Sequence, residues 1–233
     1  MSLSIILPCY NPPQNWAENI VLQYGSLRER IDGTVELIIV SDGSNGRGVT
    51  EKDVQYLQDK ISGLKFISYE VNRGKGYAIR YGAARASGDI LIYTDIDFPY
   101  DKDSFINVYN ALKNDSCDVA VGIKNSHYYE KVPFARRNIS KALRFMIRIF
   151  LSMPITDTQC GIKGFNKKAK DLFLQTTIDR YLFDLEFIRN CFKSKLYRVT
   201  AIPVQLNEGV HFRRMNYAEL MSESVNFLKL LMK

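Results

Sequence analysis

Two aspartates one residue apart, Asp95 and Asp97, follow the short apolar run Ile90-Leu91-Ile92-Tyr93. That run reads as a buried strand. Residues i and i+2 of a strand share a face, so the two carboxylates lie side by side at its carboxyl end. Carboxylates this close repel unless a cation or a proton sits between them. A hard divalent ion takes one or two carboxylates and completes its shell with phosphate oxygens and water. The pair therefore suits a metal-diphosphate site. It also suits a solvated, Asp-rich exit from a strand into a turn, and the other polar clusters of the chain bear on the choice.

Those clusters each follow a short apolar run. Cys9-Tyr10-Asn11-Pro12-Pro13 comes after Ser4 to Leu7, and Ser41-Asp42-Gly43-Ser44 after Glu36 to Val40. Asn72-Arg73-Gly74-Lys75-Gly76 comes after Leu64 to Tyr69 and opens a helix through Ala86. Further helices are expected from about Trp16, with Asn15 and Glu18 spaced as a capping-box variant, from Thr50, and from Lys102 to Lys113. A further strand is expected over Asp118 to Ile123. Strands alternating with helices give a mostly parallel α/β sheet covered on both faces, a three-layer Rossmann-like arrangement. In such sheets ligands bind beyond the carboxyl ends of the strands, so these clusters gather at one rim. Gly74-Lys75-Gly76 lacks the third glycine of a dinucleotide fingerprint, and no P-loop pattern is present. A helix start carrying Arg73 and Lys75 still suits a diphosphate.

The 233 residues carry 46% hydrophobic and 24% charged side chains, enough for one large core and a single domain over 1–233. Four cysteines without close paired spacing indicate neither a zinc site nor a disulfide framework, which fits a reducing cytoplasm. No signal peptide is read at the start and no apolar run approaches the ~20 residues that span a bilayer. The net charge is +7, and the segment Lys124 to Arg148 holds seven basic residues against Glu130 alone. This clustering suits phosphate or a membrane surface; a nucleic-acid partner is not expected, because no stacking pattern accompanies the charge. From Arg137 to Met153, Arg137, Lys141, Arg144 and Arg148 form one narrow stripe on an otherwise apolar helix. That pattern fits a membrane-surface helix or a core-packed helix with its cations outward. The apolar segment Tyr217 to Met232 suits an anchor, an oligomer face or a helix docked on the sheet.

Taken together, Pro8-Cys9-Tyr10-Asn11, Val40 to Ser44, Asn72 to Gly76 and Asp95-Ile96-Asp97 resemble the family-2 glycosyltransferases of GT-A fold. Asp157-Thr158-Gln159-Cys160-Gly161-Ile162-Lys163-Gly164-Phe165 and Phe183-Asp184-Leu185-Glu186 are similar to the subgroup that loads hexose onto polyprenyl phosphate, particularly the dolichyl-phosphate glucosyltransferases. The resemblance covers nearly the whole chain. It implies a nucleotide-sugar part over about 1–123 and an acceptor part over about 124–233. By the same resemblance Pro8, Tyr10, Asn11 and Asp42 line the nucleoside, with Asp42 on the base, and Arg73, Gly74 and Lys75 flank the nucleotide. Asp95 and Asp97 serve Mg²⁺ or Mn²⁺ and the sugar, while Asp157 and Gln159 stand at the transfer end. Two positions depart from the family pattern: Pro12 where Glu is usual, and Ser41 before Asp42 where a second Asp is usual.

The expected reaction is metal-dependent, inverting hexose transfer from a nucleotide-sugar. A polyprenyl phosphate acceptor needs cations, for which Arg136 and Arg137 are the candidates, and no base. A hydroxyl acceptor on a polysaccharide or glycolipid needs Asp157 as general base. Asp184 and Glu186 are expected to face the acceptor. A sugar-nucleotide nucleotidyltransferase is a further reading, against which the absence of a glycine-rich first loop counts. The expected location is cytoplasmic, peripheral at the inner face of the membrane.

Overall fold

The computed structural model describes residues 1–44, 48–124, 134–208, 210 and 217–232, with the side chains of 135, 136, 217 and 218 left aside. One seven-stranded sheet organises them. Its strands are β1 (Leu3–Cys9), β2 (Val35–Asp42), β3 (Lys65–Tyr69), β4 (Ile90–Tyr93), β5 (Val119–Lys124), β6 (Lys163–Asn166) and β7 (Val199–Val204). Their order across the sheet is β3-β2-β1-β4-β6-β5-β7. All neighbours run parallel except β6, which is antiparallel to both β4 and β5. The sheet does not break near residue 123, because β6 inserts between β4 and β5.

Eight helices lie among the described residues: α1 (Trp16–Arg28), α2 (Glu51–Lys60), α3 (Lys75–Arg85), α4 (Lys102–Lys113), α5 (Phe134–Phe150), α6 (Lys167–Leu174), α7 (Phe183–Ser194) and α8 (Tyr217–Met232). Strands buried on both faces need apolar side chains at every position, and all four residues of β4 are buried. Alternate residues of one strand feed opposite core layers. Ile5 and Leu7 of β1 pack with Ile20 of α1, Leu57 of α2 and Phe105 of α4. Ile6 packs with Ile79 of α3, Phe173 of α6 and Phe187 of α7. All four cysteines are buried free thiols.

The expected strands and helices are present at nearly the expected bounds. The cap of α1 differs: Asn15 stands in the left-handed region at φ 59° and its side chain makes no capping bond. The capping box belongs instead to α2, where Thr50 Oγ1 accepts from the Asp53 amide and Asp53 accepts from the Thr50 amide.

The antiparallel sense of β6 decides where the second half of the chain meets the first. Lys163, its first residue, stands opposite Tyr93, the last of β4. The loop that precedes β6, Asp157 to Ile162, is thereby delivered to the rim where Asp95 and Asp97 emerge.

Candidate functional site

At the β2 end, Asp42 is buried and its carboxylate is fully engaged. Oδ1 accepts from the Arg73 amide at 2.7 Å, and Oδ2 accepts from the Gly74 amide at 2.9 Å and from Asn72 Nδ2 at 2.9 Å. Asp42 thus ties the 72–74 loop to the sheet, a role that the spacing of the sequence does not reveal. Arg73, entering α3, stacks its guanidinium 3.7 Å from the Tyr77 ring centroid. Beside this loop the β1 end carries Pro8, the exposed Tyr10 and Asn11. The Asn11 amide donates to Ser44 Oγ at 3.3 Å, and its buried side-chain Oδ1 has no partner among the described residues. An orphaned acceptor here fits a ligand that brings its own N–H or O–H donor.

At the β4 end the Lys75 ammonium is in direct contact with Asp95. The other oxygen of Asp95 rests on Gly161, where a Cβ would come within 2.3 Å of Asp95 Oδ2. Only glycine lets the backbone approach a carboxylate so closely. Tyr100 fixes this turn from below, its hydroxyl accepting from the Gly161 amide at 2.8 Å and from Cys160 Sγ at 3.2 Å. Asp97 is exposed to solvent, yet desolvation at the crowded strand end and then the Asp95 charge raise its carboxyl above the usual range. A carboxylate whose charged form is disfavoured by a neighbouring carboxylate is one that a cation would stabilise. No cluster of three or more His, Cys, Asp or Glu side chains occurs among the described residues. Asp95 and Asp97 therefore fit an ion that draws most of its shell from phosphate and water, such as Mg²⁺ or Mn²⁺.

The next residue, Phe98, adopts φ 47°, a region bulky side chains rarely enter. Its ring is buried with the α1 and α4 side chains, and Asn207 holds its carbonyl. The left-handed step turns the chain so that Asp97 points outward while Phe98 returns to the core. A cleft of about 460 Å³ between α2 and β3 is lined by Ser41, Ser44, Thr50 and Tyr69 among others. It includes neither Asp95 nor Asp97, which stand at the open end of β4.

The sequence model described as Glycosyl transferase family 2 matches residues 4–173. The chain belongs to that family. Among curated proteins it is 30% identical to the dolichyl-phosphate beta-glucosyltransferase of Drosophila melanogaster over 205 residues, 81% of this chain and 62% of the relative. The human protein of the same name is 30% identical over 80% of this chain and 61% of its own. A Trichomonas vaginalis dolichyl-phosphate beta-glucosyltransferase is 27% identical over 98% and 72%. The chain thus spans less than two thirds of the Drosophila and human relatives. Among solved structures, glucosyl-3-phosphoglycerate synthase from Mycobacterium tuberculosis with Mn²⁺ and UDP-glucose superposes with a TM-score of 0.63 at 19% identity, over 96% of this chain and 76% of that one. Its complex with UDP alone gives 0.62 at 16% identity, over 99% and 79%. These likenesses establish the GT-A fold.

Within this family-2 fold the remaining sequence-derived candidates fall into two groups. Asp157 and Gln159 lie on the rim, one strand from Asp95. Asp157 is buried, and its carboxylate accepts from the Lys124 amide at 2.7 Å and faces the Lys124 ammonium at 3.5 Å. The same ammonium donates to the Gln159 carbonyl at 3.1 Å. Asp184 and Glu186, expected on the acceptor side, are enclosed by the protein. Asp184 is 4% exposed and paired with Lys163, while Glu186 is 2% exposed and accepts from the Thr177 and Ile178 amides at 2.8 Å each. Both sit in the first turn of α7, where every residue from Phe183 to Ile188 is buried, so both carboxylates are enclosed although helical spacing sets them on different faces. Arg137 is half-buried, its guanidinium 5.4 Å from the Phe134 ring; the Arg136 side chain lies outside the described residues.

Three contributors were not visible in the sequence. Lys163, Tyr100 and Asn207 position the rim from below. Lys163 sits inside the Asp157 to Phe165 block, and its place in a strand of only four residues hid its burial. Nothing in the local pattern of Tyr100 or Asn207 marks them.

Proposed function

We propose that this protein transfers a hexose with inversion from a nucleotide-sugar to a polyprenyl phosphate, with Mg²⁺ or Mn²⁺ at Asp95 and Asp97. The observation that carries the choice of acceptor is the state of Asp157. Its carboxylate is buried, with one oxygen bonded to the Lys124 amide and the other facing the Lys124 ammonium, so both oxygens are engaged within the protein. A phosphate acceptor is already an anion and requires no general base; a hydroxyl acceptor requires one. The relatives, which are dolichyl-phosphate beta-glucosyltransferases, support the same choice.

A divalent ion held by Asp95 and Asp97 would supply Lewis-acid neutralisation of the departing diphosphate. The residues of the chain do the rest. Asn11 and Tyr10 receive the nucleoside, and Asp42 holds the 72–74 loop so that Arg73 and Lys75 lie along the phosphates. The acceptor oxygen attacks the anomeric carbon from the face opposite the diphosphate, and the breaking C–O pair leaves with the nucleotide. Gln159, on the Asp157 loop, lines the transfer end, and Arg137 with Arg136 holds the acceptor phosphate. The donor is served by the first half of the chain, about 1–123, and the acceptor by the second.

No helix of the described residues is long and apolar enough to cross a membrane. Contact with a lipid surface, from the cytoplasmic side, instead uses α5, which exposes Phe145, Ile149 and Phe150 near Lys141 and Arg148. The test is direct transfer from labelled nucleotide-sugars to a short polyprenyl phosphate and to a soluble oligosaccharide, with Asp157→Asn in parallel. Transfer to the phosphate that survives Asp157→Asn supports the reading. Transfer to the oligosaccharide alone, abolished by Asp157→Asn, replaces it with the hydroxyl reaction.

A further inference from the structure

Behind the rim, five residues from separate parts of the chain form one charge cluster. Lys163 has no exposed surface; its ammonium pairs with Asp184 at 2.9 Å and also donates to the Cys160 carbonyl. The Tyr93 hydroxyl donates to the second oxygen of Asp184. Tyr93 and Lys163 stand opposite each other across β4 and β6, so the sheet itself fixes both partners of the carboxylate. In front of this group, Lys75 contacts Asp95.

The first turns of α3 and α7 are pressed together. A Cβ on Gly76 would lie 2.8 Å from the Cβ of Phe183, the neighbour of Asp184. Lys75, the first residue of α3, and Asp184, in the first turn of α7, are thereby brought to the same end of the sheet, with the Lys75 ammonium on Asp95 and Asp184 behind it. Burial works against its charged form, and the charges of Asp95 and then Asp184 outweigh it.

Two features of this cluster ask for an explanation beyond packing. A buried ion pair is seldom worth more to stability than apolar residues of the same shape, yet Lys163 and Asp184 are both enclosed. The charges also do not cancel. Within this group, the three carboxylates of Asp95, Asp97 and Asp184 stand against the two ammonium groups of Lys75 and Lys163. A divalent cation at Asp97 would reverse that sign and would compete with the Lys75 ammonium for Asp95.

We infer that Asp184, anchored by Lys163 and Tyr93, is a positioning residue for the donor site: it gives Lys75 a second anionic seat, which keeps the ammonium beside the donor phosphates when a divalent cation takes over Asp95. Lys75 thus shifts between two carboxylates and remains in the site. Cation binding and the position of Lys75 are then thermodynamically linked, and removing the second seat weakens the cation without touching either of its ligands. This inference rests on the donor site proposed above.

The test measures uridine diphosphate binding by calorimetry, with and without Mn²⁺. Lys163→Met combined with Asp184→Asn removes both buried charges together, which avoids stranding either one. The expected result is a Mn²⁺-dependent gain in affinity reduced about tenfold from that of the parent, with metal-free binding changed less than about twofold. Tyr93→Phe keeps both charges and the core ring while releasing one oxygen of Asp184. It is expected to reduce the gain by about threefold, and it serves if the charge-free pair fails to fold. A gain equal to the parent's in the folded variants overturns the role of Asp184 and leaves the donor site standing. A parent protein whose affinity for the nucleotide is indifferent to Mn²⁺ overturns the donor-site reading, and this inference with it.

Discussion

Asn207 donates its side-chain amide to the carbonyl of Phe98 at 2.9 Å, and the same nitrogen reaches the Tyr100 carbonyl at 3.0 Å. The segment after β7 thereby holds the turn that leaves the Asp95–Asp97 strand end. The Asn207 amide adds a bond to Pro99 at 2.9 Å, and Tyr100 bridges Leu206. A left-handed Phe98 costs on the order of 1–3 kcal/mol, which must be met by such outside contacts. The orientation of Asp97 therefore depends on a residue over a hundred positions away in the chain.

Asn207→Ala removes both side-chain bonds and leaves two carbonyls short of a partner. The expected loss of stability is about 1–3 kcal/mol, read as a fall in denaturation midpoint. Metal-dependent nucleotide affinity falls with it, since the turn after Asp97 is no longer fixed. A variant with the parent's midpoint and the parent's response to Mn²⁺ removes Asn207 from this role.

Asp42→Ala should show a double effect. The carboxylate caps the Arg73 and Gly74 amides and Asn72 Nδ2, so its loss strands backbone donors at the start of α3. A destabilisation of about 1–3 kcal/mol is expected, alongside weaker nucleotide binding both with and without metal. Asp42→Asn retains one carbonyl oxygen and recovers part of the stability. If nucleotide affinity is unchanged in calorimetry while stability drops, Asp42 is a tie for the loop and not part of the nucleoside site.

The sequence was most legible where one rule decided the structure. Apolar runs marked β1, β2 and β4 because strands covered on both faces are built mostly from apolar side chains. The carboxyl-end rule then gathered Tyr10, Asp42, Lys75 and Asp95 at one rim. It was least legible at β6, where Lys163-Gly164-Phe165-Asn166 offers no run and a buried lysine reads as exposed. Asp184 and Glu186 misled for a related reason. They were expected to face the acceptor, whereas α7 buries its first turn and each carboxylate is met by internal donors. Local spacing records which residues share a face; it does not record which face the tertiary structure covers.

Glu36 sets an acid limit on the fold. It sits on β2 opposite Ser4, and burial alone would raise its pKa. The ion pair with Lys65 at 2.7 Å and bonds from Ser4 and the Ser87 amide outweigh that, lowering it to about 2 from 4.5. A carboxylate with a depressed folded pKa contributes stability that is fully present above its unfolded value and is lost as pH falls through the folded one. Between pH 4.5 and about 2 the protein should therefore lose on the order of 2 kcal/mol through this group, allowing for screening of the partly exposed pair. Glu36→Gln should be less stable at pH 7 and flatter across that window. Parallel pH–stability curves for the two proteins would show that Glu36 contributes nothing to acid unfolding.

The last prediction concerns α5. Its inner residues Ile147, Leu143 and Met146 join the core, so the helix is docked on the protein by one face. Phe145 is 64% exposed and Ile149 53%, and Lys141 and Arg148 stand exposed on the same helix. An apolar strip left open beside cations is a costly surface in water and a favourable one at an anionic lipid interface. The protein should bind vesicles containing phosphatidylserine, and binding should weaken as salt screens the cations. Each cation near the surface is worth about 1 kcal/mol, so Lys141→Gln with Arg148→Gln should cost about thirtyfold in partitioning. Phe145→Ser with Ile149→Ser should weaken binding at every salt concentration, because apolar insertion is not screened. Vesicle binding that is indifferent to both pairs of substitutions would place the lipid contact elsewhere on the chain. Absence of binding in the parent would remove it altogether.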